Sequence, residues 1–317
     1  MEKIQDLGNE ISLIDLMDLG LSERTGAYVI QAEELTIVET SASPSIPYLL
    51  NGLKALPIQL EDIKHIIVTH VHLDHAGGAG LLLQKCPNAK VYVHPRGRRH
   101  LADPSKLILG AKAVYGEQFD QLFDPIVPIP EDKLIEMEDG SSINIGGRTL
   151  TFIDTPGHAK HHFSIHDSGS KGVFTGDTIG VLYPQLVRKG VHISLPSTSP
   201  NQFSPDDMLA SAKKIESLNP ERIYFGHYGM SANPEKVFEQ LRYWLPIFTE
   251  VSEKVWKDHG GTASEEVHKK IKTAIMEKIL AYLEEQGVKL EHDVLEIIQL
   301  DLNVGTMGMM DRLSKQI

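Results

Sequence analysis

A chain of 317 residues with 41% apolar content can bury one large core, or one core plus an appendage. Its formal charge of −12 argues against a nucleic-acid backbone or an anionic membrane as the main partner, and leaves room for a small anionic substrate beside a metal. The single cysteine, Cys86, excludes a disulfide framework and a thiolate metal cage.

The first residues, Met1 to Asp6, carry no apolar signal-peptide stretch, and no apolar run approaches the ~18 residues that span a bilayer. The expected setting is therefore cytoplasmic. Strands are expected at Glu10 to Ile14, Ala27 to Gln31 and Leu35 to Glu39, from alternation and β-branched content. Ile46 to Leu56 has helical spacing and stops at Pro57. Ile66-Ile67-Val68 reads as a buried strand. It runs straight into Thr69-His70-Val71-His72-Leu73-Asp74-His75-Ala76-Gly77-Gly78, where three imidazoles and a carboxylate fall within six residues. A helix then runs to about Lys85, leaving Cys86 as an inert thiol at its end.

Lys90 to His94 is a strand, and residues 96–125 are mixed helical. Arg96, Arg98, Arg99 and His100 within them read as a solvated helix face. Strands follow at Leu134 to Ile145, Arg148 to Asp154, Phe163 to His166 and Gly172 to Thr175. Residues 178–204 read as one long loop, and loops of that length in compact domains are often functional. A helix at Asp206 to Leu218 precedes a last short strand, Arg222 to Phe225. From residue 234 onward the chain is helical by period, with breaks at Gly260-Gly261 and Gly287. The expected division is residues 1–233 and a C-terminal helical extension over 234–317.

Three more donors stand directly after strands, each behind a glycine that lets the backbone turn the side chain inward: His158, Asp177 and His227. Five imidazoles and two carboxylates are too many for one tetrahedral metal and suit two metals about 3.5–4 Å apart. One would take His70, His72 and His158, the other Asp74, His75 and His227, with Asp177 between them.

The order His-x-His-x-Asp-His, then His, Asp and His, resembles the metallo-β-lactamase superfamily over roughly residues 9–230. Thr69-His70, Asp74-His75-Ala76-Gly77-Gly78 and Thr155-Pro156-Gly157-His158 resemble the wording of its hydrolase group containing glyoxalase II and the lactonases. The resemblance implies an α/β fold, a four-layer αββα sandwich, here with a helical appendage. It implies two Zn2+, with Fe or Mn as substitutes, and a metal-bridging hydroxide that cleaves an ester, thioester, lactone or phosphodiester of a small molecule. Asp74 and Asp177 would serve the chemistry as well as the metals. Tyr183 and Tyr228 are candidates for the substrate side, and His162 for supporting a ligand from behind. His161 and His166 read as surface or strand residues. Two rivals follow: an enzyme resembling the persulfide dioxygenases, with one non-haem iron on His70, His158 and Asp177, and a silent metal-stabilised scaffold. The helical tail is expected to cover one side of the metal edge or to form a homodimer contact.

Overall fold

The computed structural model describes residues 3–316. Strands β1 (Ile4–Asp6), β2 (Ile11–Asp15), β3 (Gly26–Ile30) and β4 (Leu35–Val38) lead to helix α1 (Ile46–Ala55) and strand β5 (Ile63–Ile67). Short helices α2 (Leu73–Ala76) and α3 (Ala79–Leu83) follow, then β6 (Lys90–Val93), α4 (Pro95–Ala102), α5 (Ser105–Tyr115), α6 (Phe119–Phe123) and β7 (Leu134–Glu136). These seven strands form one sheet in chain order, antiparallel from β1 to β4 and parallel from β4 to β7.

A second sheet takes β8 (Ser142–Asn144), β9 (Thr149–Asp154), β10 (Phe163–Asp167) and β11 (Gly172–Phe174). Between β11 and its parallel neighbour the chain makes β12 (Val181–Leu182), α7 (Pro184–Val187), β13 (Ser194–Leu195) and α8 (Pro205–Glu216). It returns as β14 (Arg222–Tyr224), parallel to β11, and β15 (Met230–Ser231) closes the sheet at its edge. Helices α9 (Pro234–Asp258), α10 (Glu265–Glu285) and α11 (His292–Ser314) end the chain. The result is a mixed α/β sandwich with a C-terminal helical segment, the class expected from the sequence.

The chain packs as two compact units. The first runs to Asp154 and adds His161–Gly176 and Pro220–Ala232, so it holds both large sheets. Central strands are apolar on both faces, as parallel strands covered on both sides must be. In β4 and β5, Ile37 and Ile66 face a core shared with α1, α3 and α4, while Val38 and Ile67 face the other sheet. That inter-sheet core is aromatic: Tyr28 meets Phe174 edge-on at 5.1 Å, and Phe174 stacks on Tyr224 at 4.5 Å. Such pairs add about 0.5–1.5 kcal/mol each beyond their buried area.

The second unit comprises Thr155–Lys160, Asp177–Asn219 and the chain from Asn233. Its interior is built from Trp244 and Phe248 of α9, Ile271, Ile275 and Ile279 of α10, and Val294, Ile298, Leu302 and Met309 of α11. Ser264 starts α10 by accepting the Val267 N–H at 3.2 Å, and Gly260-Gly261 makes the turn before it, both with positive φ.

Three sequence expectations change. Leu134 to Ile145 is not one strand: it splits at Asp139-Gly140 into β7 and β8, which belong to different sheets. The stretch 178–204 is not structureless, but its β12 and β13 are two residues each, too short to show a period. Strands β1 and β15, short and at sheet edges, were not expected.

Candidate metal centre

In the first unit the donors sit where strands β5 and β14 end, on the C-terminal side of parallel strands, where open α/β sheets place ligands. After β5 the loop carries His70 and His72. Their rings meet edge to face at 4.6 Å, with His70 Nε2 at 3.1 Å from His72 Nδ1. Helix α2 then presents Asp74 and His75. Asp74 Oδ2 stands 3.9 Å from His75 Nε2 and 3.9 Å from His227 Nε2, and donor atoms of the three lie within 4.8 Å of one another. Four ligands about 2.1 Å from a tetrahedral metal lie about 3.4 Å apart, so both spacings are close to what a metal needs.

What holds these donors was not legible as a motif. Glu39, one residue past β4, is buried, and its carboxylate takes two bonds. Oε1 accepts the Thr69 N–H at 2.9 Å, and Oε2 lies 3.1 Å from His75 Nδ1. A carboxylate behind an imidazole in this way is the arrangement that would turn His75 Nε2 toward a bound metal. Glu39 and Ser41 both have left-handed backbone, φ 71° and 57°, costing about 1–3 kcal/mol each and held by the surrounding bonds. One of those is Thr40, whose N–H and hydroxyl both reach the His75 carbonyl, at 3.0 and 2.8 Å.

The His227 turn is held from β3. The Tyr28 hydroxyl lies 2.7 Å from the carbonyls of both Phe225 and Gly229. Burial pushes its pKa well above the usual tyrosine range, with Tyr228, Tyr224 and Glu39 nearby adding to the effect, so it stays a donor. His162 is fully buried, its ring 5.2 Å from that of His70. His161 corrects an expectation. Rather than facing solvent it is buried, its ring stacked on that of His70 at 6.3 Å and edge-on to that of His72 at 5.3 Å, because the chain before β10 folds back with Phe163 N–H on the Thr69 carbonyl.

In the second unit His158 and Asp177 meet: His158 Nε2 lies 3.7 Å from Asp177 Oδ2, both buried. Ser197 links them, its carbonyl accepting from His158 Nδ1 at 3.0 Å and its hydroxyl donating to Asp177 Oδ2 at 3.0 Å. The turn before His158 is pinned to α8. Ser204 N–H bonds the Gly157 carbonyl at 2.8 Å, and Ser211 donates to the Pro156 carbonyl at 2.6 Å. Gly157 has φ 135°, and a Cβ there would strike the Met208 backbone. The glycine before His227, Gly226, has no left-handed φ, so the expected role of glycine holds at Gly157 and Gly176 and not at Gly226. Tyr183 is buried with its hydroxyl donating to Asp301 at 2.8 Å, and Tyr228 packs in the inter-sheet core of the first unit.

Residues 25–227 match the profile of the Metallo-beta-lactamase superfamily. The chain belongs to that superfamily. It is similar to ST1585, a metallo-beta-lactamase fold-containing protein of Sulfurisphaera tokodaii, at 29% identity over 248 residues, 77% of this chain and 86% of that one. The ST1585 crystal structure has the same fold, with a TM-score of 0.65 at 23% identity over 94% of this chain and 97% of that chain. A hydroxyacylglutathione hydrolase of Aeromonas salmonicida is 30% identical over 131 residues, 41% of this chain and 38% of that enzyme. An atrochrysone carboxyl ACP thioesterase of Aspergillus fumigatus is 24% identical over 178 residues, 56% of this chain and 42% of that enzyme. The superfamily fold implies divalent metal binding, and the His/Asp clusters above are chemically suited to it. Among the described residues, no helix is long and apolar enough to cross a membrane.

Proposed function

We propose that this protein is a hydrolase with two divalent metals, zinc first, that cleaves an ester or thioester of a small molecule. The observation that carries the reading is Asp74 Oδ2 standing equally far, 3.9 Å, from the ring nitrogens of His75 and His227, three donors with the right chemistry for one metal. The order of donors in the sequence assigns His70, His72 and His158 to the other ion, with Asp177 shared. Bound divalent metal supplies a Lewis acid for the scissile carbonyl and lowers the pKa of water toward neutrality.

The remaining work falls to the chain's own groups. Glu39 would hold the His75 tautomer in which Nε2 is the nitrogen offered to a metal. Asp74 would be both a metal donor and a carboxylate that takes the proton water gives up. Ser197 fixes the Asp177 carboxylate through Oδ2. The thioesterase and the hydroxyacylglutathione hydrolase among its relatives support an acyl substrate, in which the bond to sulfur or oxygen breaks and water supplies the new acid oxygen.

The test is metal content of the purified protein together with a panel of p-nitrophenyl esters, acyl thioesters, lactones and bis-p-nitrophenyl phosphate. Two equivalents of zinc and turnover of esters or thioesters are expected. Asp177→Ala should lower kcat/KM by about 100- to 10,000-fold. One iron per chain with oxygen uptake, or no hydrolysis of any acyl substrate by metal-loaded protein, would overturn it.

A further inference from the structure

Helix α11 carries two glycines, Gly305 and Gly308, inside a 23-residue helix. Each costs about 1 kcal/mol relative to alanine in a helix interior, so their presence asks for a reason. The reason is a close approach. A Cβ on Gly308 would fall on the Thr198 carbonyl oxygen, and one on Gly305 would come within 2.8 Å of Thr198 Oγ1. Thr198, itself buried, donates its hydroxyl to the Gly305 carbonyl at 2.9 Å. Four residues before Gly305, Asp301 takes the Tyr183 hydroxyl at 2.8 Å. Positions 301, 305 and 308 share one face of the helix, at spacings of four and three.

That face grips the two segments that flank the second half of the metal centre. Tyr183 closes the segment following Asp177, and Thr198 is the residue after Ser197, which bonds both His158 and Asp177. We propose that α11 is a positioning element for His158 and Asp177: its glycine face seats Thr198, and so fixes the Ser197 carbonyl and hydroxyl on the two donors. The proposal rests on the reading of those donors as metal ligands. It makes the C-terminal helix part of the support of the centre, with Gly305, Gly308 and Thr198 as positioning residues.

The test uses the full-length protein. Gly308→Ala forces the helix off Thr198, and Thr198→Val removes the hydroxyl bond while keeping the shape. Three readouts are taken: zinc affinity by chelator competition, amide hydrogen exchange at residues 196–200 in metal-free protein, and thermal stability. Gly308→Ala is expected to weaken one of two zinc equivalents roughly 10-fold, the scale seen when a group behind a metal ligand is lost, and to speed exchange at 196–200. Thr198→Val should move both in the same direction by less. Val294→Ala, which truncates a buried side chain in the first turn of α11, should lower the melting temperature and leave zinc affinity and the exchange at 196–200 unchanged. Wild-type zinc affinity and exchange in both Gly308→Ala and Thr198→Val would overturn the proposal. So would an equal loss of affinity in Val294→Ala. If wild-type protein binds no metal, the hydrolase reading fails, while the exchange at 196–200 still decides whether α11 holds the Ser197 segment.

Discussion

The two half-sets of donors are held by different chemistry. Asp74 and His75 sit on the short helix α2 and His227 on the turn after β14, and a buried carboxylate, Glu39, backs His75. His158 and Asp177 sit on turns and are backed by a neutral group, the carbonyl and hydroxyl of Ser197. A carboxylate behind an imidazole raises its basicity more than a carbonyl does, and it fixes the tautomer more firmly. On the two-metal proposal, the half held by Glu39 should therefore take metal first and release it last. The half held by Ser197 should be the adjustable one, which fits its dependence on a loop and a helix rather than on a sheet.

The largest effect that would break this contrast is at Glu39. Glu39→Gln keeps the shape but offers a neutral amide to His75 and to the Thr69 N–H. The tighter of the two zinc equivalents should weaken by about 10- to 100-fold, read by chelator competition, with the weaker equivalent moving less. If both equivalents kept wild-type affinity, the ranking of the two halves would be wrong.

A smaller effect is expected at Tyr28, which reaches the His227 turn from β3. Tyr28→Phe removes a buried donor that lies against two carbonyls, Phe225 and Gly229. Leaving a buried acceptor short of its donor costs about 1–3 kcal/mol, so the urea midpoint should fall accordingly. The variant should also loosen amide exchange at 225–229, and not at 196–200. Loosening at 196–200 instead would mean the two halves are not separately supported.

How much of this was readable from residues alone follows the same division between local and distant. The seven candidate donors stand out in the sequence because they fall in short motifs that follow apolar, strand-like runs. Glu39 was hidden. A glutamate closing an amphipathic strand reads as a solvated end, and only the pairing of β4 with β5 brings it under Thr69 and His75. The one local hint was its place after the apolar Ile37-Val38 and before a Thr-Ser pair. The burial of His161 is hidden for a related reason, since it depends on a contact between residues 163 and 69. The break within Leu134 to Ile145 was missed because both halves carry strand-like residues, and the switch of sheet at Asp139-Gly140 leaves no periodic trace. In α11 the glycines at 305 and 308 follow no pattern of their own in the sequence, and the nearness of Thr198 explains them.

The smallest effect, nil at neutral pH, concerns Cys86, the one cysteine of the chain and a residue of the first unit only. It lies in the core under the first sheet, and burial, with Glu61 nearby, pushes its thiol up from 9.0 to about 12. A folded pKa above the unfolded one means the folded chain keeps its proton longer. The stability this contributes is fully present below pH 9 and is lost as pH rises from there toward 12. Wild type and Cys86→Ala should therefore show the same difference in urea midpoint at every pH from 7 to about 9, and the difference should shift against wild type above it. The same thiol reports opening of the first unit alone, because a buried neutral thiol does not react until the core exposes it. Its labelling at pH 8 should be slow in wild type and equally slow in Gly308→Ala, whose damage lies in the second unit. Faster labelling in Gly308→Ala would show that strain at Thr198 reaches the first sheet, and the contrast between the two halves would then be one of degree.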